Sequence, residues 1–181
     1  MMAVPLREMP YQTLGDLFLD FGTNAVPVEN YRRDLDLDTA VASVSYTANG
    51  VHFQREIFSS PVDQVIVIHL TADKPGQISF TAGMTTLQKA TVTNVTLRTL
   101  VMNGINGALK FQARVRLENT GGTVSASGDR LMVDGADSVT LLIAAATSCR
   151  NGCRTLTCNR TSCVTVTSRI FTRFIRARRL T

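Results

Sequence analysis

An all-β fold, specifically an antiparallel β-sandwich, is the architecture this sequence predicts for residues 1–148, and three observations carry it. Apolar residues recur with period two in one segment after another. Val, Ile and Thr, which suit a pleated half-buried surface, run throughout. Turn pairs containing Gly or Asn separate the segments at short, even intervals, as they do in sandwiches. No stretch has the 3.6-residue period of an amphipathic helix. The 181 residues, 44% hydrophobic and 18% charged, suffice for one domain with a sizeable core and do not have the composition of a disordered chain.

The elements follow in chain order. Asp16 to Phe21 is the first candidate strand and Tyr31 to Asp38 the second. Ala40, Val44, Tyr46 and Ala48 then alternate with Ser43, Ser45 and Thr47 up to Asn49-Gly50, and the chain returns through Val51, Phe53 and Ile57. Asn-Gly between two alternating runs signals a hairpin, because a type I′ turn needs positive φ at both central residues. Gln64 to Ala72 contains Val65-Ile66-Val67-Ile68, apolar on both faces, which predicts a central strand covered on each side. Gln77 to Met84 and Thr91 to Met102 come next, with Lys74-Pro75-Gly76 as a turn before them and Asn103-Gly104 and Asn106-Gly107 as turns after. Leu109, Phe111, Ala113, Val115 and Leu117 alternate without a break with Lys110, Gln112, Arg114, Arg116 and Glu118, predicting a strand with one buried face. Gly122 to Ala126, Arg130 to Val133 and Ser138 to Thr147 complete a set of about ten, separated by Gly121-Gly122, Ser127-Gly128 and Asp134-Gly135.

Charge divides the chain near Ser148. Residues 1–148 carry all 14 acidic residues and a net charge of −3, whereas residues 149–181 carry eight Arg, no acid, and Cys149, Cys153, Cys158 and Cys163. The high overall pI therefore belongs to a tail and not to the sandwich. The apolar runs Val65–Ile68 and Leu141–Ala146 are far too short to span a bilayer, so no membrane partner is expected. Arg7 and Glu8 fall where the apolar centre of a secretory leader would lie, so none is read here.

Few constellations in the body carry chemistry. Asp34, Asp36 and Asp38 have the alternate spacing of a calcium loop, but Thr39 and Ser45 stand where its Gly and Glu belong. Leu35 and Leu37 between them indicate a strand with Asp on the wet face and Leu on the dry one. His52 and His69 have no second His or Cys at ligand spacing within the body, so neither a metal nor a cofactor is expected. Asp16, Asp20, Glu29, Glu56 and Glu118 are carboxylates of the kind that glycoside hydrolysis uses in pairs, but sequence does not pair them. Asn94-Val95-Thr96 has the form of a glycosylation acceptor inside a strand pattern, where chance is the better explanation.

Several segments are more specific: Met9-Pro10-Tyr11-Gln12-Thr13-Leu14-Gly15-Asp16-Leu17, Tyr31 to Ala40, Gly50-Val51 through Arg55-Glu56-Ile57-Phe58, Asp63 to Val67, and Leu141 to Ser148. In that order they resemble the N-terminal domain of glycoside hydrolase family 95, the α-L-fucosidases, over nearly all of residues 3–148. Thr13 stands where the family more often has Pro. The resemblance implies a large sandwich, incomplete at its N-terminus here, whose parent enzyme acts on fucosylated glycans through a separate helical barrel. No catalytic residue is carried over to this chain, which is expected to be inactive alone. Tyr11, Gln12 and Asp16 are the candidates for facing that barrel, and missing strands imply self-association through exposed sheet edges.

The tail from residue 149 to 181 reads as an irregular appendage. Its C-x3-C-x4-C-x4-C spacing lacks the C-x2-C pairs of a zinc ribbon, although a zinc or disulfide knot remains an alternative. Arg169, Arg173, Arg176, Arg178 and Arg179, interleaved with Phe171 and Phe174, suggest nucleic-acid binding at first sight. The Arg-only, acid-free bias is also what coding DNA read out of frame produces, and no nucleic-acid partner is expected. A free-standing carbohydrate-binding sandwich is the second reading of the whole, weakened by the lack of Trp and the presence of only three Tyr.

Overall fold

The computed structural model describes residues 13–22, 27–106 and 109–148. Tyr11, Gln12 and the whole Cys- and Arg-rich tail lie outside the described residues. Twelve strands occur among those described: β1 (Asp16–Asp20), β2 (Val28–Asp36), β3 (Val41–Ala48), β4 (Val51–Ser60), β5 (Val65–Ala72), β6 (Ile78–Thr85), β7 (Lys89–Thr96), β8 (Thr99–Asn106), β9 (Leu109–Thr120), β10 (Thr123–Ser127), β11 (Arg130–Ala136) and β12 (Ser138–Thr147). They form two antiparallel sheets, so the fold is the all-β sandwich expected. The smaller has the order β1-β6-β11-β10 and the larger β2-β3-β4-β5-β12-β9-β8-β7.

Local chemistry explains the hairpins. Asn49 and Gly50 sit at φ 53° and 69°, the type I′ geometry that lets the right-handed twist continue from β3 into β4. Gly121 and Gly122 turn β9 into β10 at φ 67° and 64°. The meander β2–β5 and the meander β7–β9 are joined through β12, which pairs with both β5 and β9. Its long apolar run is explained by that internal position.

The two sheets enclose one core. Ile68 and Leu70 of β5, Val139 and Leu141 of β12, Phe111 to Leu117 of β9, and Leu100 and Met102 of β8 face Ile78 to Met84 of β6 and Leu131 and Val133 of β11. The alternation read in β9 is reproduced strictly: Phe111, Ala113, Val115 and Leu117 are buried, and Lys110, Arg114, Arg116 and Glu118 are exposed. Gly104 is buried inside β8 because a Cβ there would strike the Phe111 ring.

Some expectations change. Thr91 to Met102 is two strands, since β7 and β8 pair with each other across a turn at Leu97 and Arg98. Asn103-Gly104 lies within β8, and Asp134-Gly135 forms a bulge in β11 with Gly135 at φ 63°. The segment around Asp36 ends a strand at that residue, and Leu37 lies in the following turn, 83% exposed. Leu35 shares a face with Ala42 yet is 54% exposed, so it is on no dry surface. β5 is internal to its sheet, as expected, but Val65 and Val67 on its second face are only half-buried.

Candidate functional site

Asp16 opens β1, pairs with Thr85 at the start of the small sheet's edge, and is exposed. The residues before it are held firmly. Thr86 Oγ1 donates to the Leu14 carbonyl at 2.8 Å, and Gln88 Nε2 donates to the Thr13 carbonyl at 2.8 Å. Gly15 permits this approach, because a Cβ there would lie 2.6 Å from the Thr85 carbonyl oxygen. With Tyr11 and Gln12 outside the described residues, Asp16 is the one interface candidate whose surroundings are visible.

The carboxylates named from the sequence are spread over both sheets. Glu56 of β4 is opposite His69 of β5, His69 is opposite Thr140 of β12, and Thr140 is opposite Glu118 of β9. Three strand spacings put the backbones of Glu56 and Glu118 about 14 Å apart, with His69 and Thr140 between them. Glu118 is tied to Arg116 at 3.1 Å, Glu56 accepts from Gln54 at 2.8 Å, and Asp34 is tied to Arg32 at 2.7 Å. Asp16 and Asp20 are on the other sheet. No charged residue among those described is buried. At Asp36, the N–H groups of Asp38 and Thr39 and the Thr39 hydroxyl stabilise the charged form and hold the pKa below the ordinary carboxylate value.

The remaining sequence candidates have structural partners. His69 Nδ1 is 2.9 Å from Thr140 Oγ1. The Asn94 amide donates to the Gly128 and Arg130 carbonyls at 2.7 and 3.1 Å, fastening β7 to the β10–β11 turn. Among the described residues no three potential metal ligands come together.

Two features emerge that sequence reading missed. The first is an aromatic and cationic cluster on the inner face of β3 and β4, at the side of the large sheet that the small sheet leaves open. The Arg55 guanidinium lies 4.2 Å from the Phe21 ring centroid and 5.2 Å from that of Tyr46, and donates to the Tyr46 hydroxyl at 2.7 Å. Tyr46 stacks on Phe53 with centroids 5.2 Å apart. Pairing Tyr46 with Phe53 and Val44 with Arg55 across the hairpin produces this arrangement, and the register could have been derived from Asn49-Gly50. The second is an open groove of about 690 Å³ at the end of β7, β8, β9 and β12, with Lys89, Asn103, Ile105, Lys110 and Gln112 among its walls. Lys89 is 21 positions from Lys110, and only the strand order places both beside Ile105.

Taken together, the described residues form an antiparallel β-sandwich domain. The family model for the N-terminal domain of glycosyl hydrolase family 65 matches residues 1–152, and the chain belongs to that family of glycoside hydrolase N-terminal domains. Alpha-L-fucosidase 2 of Arabidopsis thaliana is 36% identical over 177 residues, covering 81% of this chain and 21% of the relative. Probable alpha-fucosidase A of Aspergillus niger is 38% identical over 72 residues, covering 38% of this chain and 9% of the relative. The chain thus spans about a fifth of the plant relative's length. A putative kojibiose phosphorylase from the human microbiome superposes with a TM-score of 0.48 at 9% identity, covering 68% of this chain and 20% of that one.

Proposed function

We propose that this chain is the accessory N-terminal sandwich of an α-L-fucosidase-like glycoside hydrolase of family 95, whose hydrolysis of terminal α-L-fucosyl linkages is carried out by a catalytic barrel outside these residues. The observation that carries this reading is the 36% identity to a fucosidase extending over 81% of the chain. The separated, ion-paired carboxylates of the sheet support the assignment of catalysis elsewhere. Asp16, with Tyr11 and Gln12, is the proposed contact with that barrel, and the exposed β2 edge is the proposed start of self-association when the domain is alone.

A chimera tests the reading. Residues 1–148 replace the matching stretch of the Arabidopsis relative, and fucose release is measured alongside the parent. Retained turnover is expected, together with a raised KM or lowered thermal stability when Asp16→Ala is added. A folded chimera with no turnover would contradict the assignment.

A further inference from the structure

The outer face of the large sheet changes sign across its width. Its β2–β4 end bears Asp34, Asp36 and Glu56 against Arg32, which is paired with Asp34, whereas the groove at the β7–β9 end is lined by no carboxylate. Lys89, Ile105 and Lys110 occupy one cross-strand row there, so the two ammonium groups spring from backbones about 10 Å apart on either side of an exposed Ile. A neighbouring row is wired by directed hydrogen bonds. Arg114 Nε donates to Gln112 Oε1 at 2.7 Å, and Gln112 Nε2 donates to Asn103 Oδ1 at 2.6 Å. With its oxygen engaged by Gln112, the exposed Asn103 keeps its amide nitrogen as a donor, next to Thr91. Among the described residues neither Lys nor Arg114 has a carboxylate partner.

From this geometry we infer that the groove is a binding site for an anionic oligosaccharide of the uronic-acid class. Two separated cations match a ligand whose negative charge repeats along its length, and fixed amide and hydroxyl groups match sugar hydroxyls. The exposed Ile105 offers an apolar floor for C–H faces. Phe111 is buried against Gly104, so no aromatic platform is presented. That disfavours neutral sugars held by stacking, and it disfavours single-stranded nucleic acid, which combines a cationic track with stacked bases. The site is independent of the fucosidase reading.

Isothermal titration of the full chain with galacturonic acid oligomers, neutral galactose oligomers of equal length, and polyuridylate tests the inference. The expected result is saturable uronate binding that weakens with salt. The Lys89→Gln/Lys110→Gln variant should bind about tenfold more weakly or worse, the loss expected when charge-assisted hydrogen bonds are removed. Both lysines are exposed, so the variant's melting curve should match the parent's; if it does not, Lys89→Gln alone decides, with a smaller loss. Equal affinity for neutral oligomers, undiminished binding by the variants, or polyuridylate binding that is tighter than uronate binding and is lost in the Lys89→Gln/Lys110→Gln variant would overturn it.

Discussion

β9 and β2 are both long strands of one sheet, and the alternation that runs through β9 occurs in β2 only at its end, where Leu35 stands between Asp34 and Asp36; yet Leu117 of β9 is fully buried while Leu35 of β2 is 54% exposed. The difference is set by what lies opposite. β9 and β12 lie over β6 and β11 of the small sheet, whereas every residue of β2 is exposed and Arg55 with its aromatic partners marks the end of the covered area. Alternation therefore determines which way a side chain points, and sheet order determines whether that direction is dry. Four strands do not cover eight, so the larger sheet has one closed half and one open end.

The closed half should respond most to truncation. Leu117→Ala or Leu141→Ala should cost about 3 kcal/mol in denaturant unfolding, since each side chain is fully enclosed, whereas Leu35→Ala should stay within about 0.5 kcal/mol. Comparable losses at Leu35 would show that the open end is covered. Gly104→Ala comes next: the added methyl meets the Phe111 ring and should cost about 2 kcal/mol, again with no counterpart on β2. At the boundary between the two regions, Arg55→Ala should lose about 1–2 kcal/mol from its ring contacts and its bond to Tyr46, and Arg55→Lys should recover part of that.

The smallest effect belongs to the open end. Because the folded-state pKa of Asp36 is depressed, its contribution is present above the unfolded carboxylate pKa and is lost as pH falls through the lower folded value. Asp36→Asn should therefore lower stability slightly at neutral pH, where that contribution is present, and match the parent in acid below the folded-state pKa. A larger change at neutral pH would mean that the β2–β3 turn bears more weight than its exposure indicates.

Much of this was legible in the residues. The β9 alternation and the Asn49-Gly50 turn were sufficient because period and turn chemistry are local. The β7–β8 turn was missed because Leu97 and Arg98 carry no Gly or Pro to interrupt a Thr-rich alternation. Asn103-Gly104 was misread as a turn because its Gly serves a close approach by Phe111, which no local pattern reveals. That the chain is the N-terminal domain of a glycoside hydrolase with fucosidase relatives was legible from linked motifs in residues 3–148, although the matching family model is that of family 65 and not the expected 95, but the groove and the Arg55 cluster were not. Lys89 and Lys110 meet only through the order β9-β8-β7, and Phe21 reaches Arg55 only because the two sheets stack. The insertion of β12 between β5 and β9 is likewise a long-range choice that periodicity does not encode.

The central proposal, that these residues form an accessory sandwich and that hydrolysis is carried out elsewhere, is tested most directly by incubating the purified chain with an α-L-fucosyl oligosaccharide and measuring free fucose. No release above the buffer control is expected, and Glu56→Gln and Glu118→Gln should change nothing. Turnover by the chain alone, abolished by either substitution, would contradict the account.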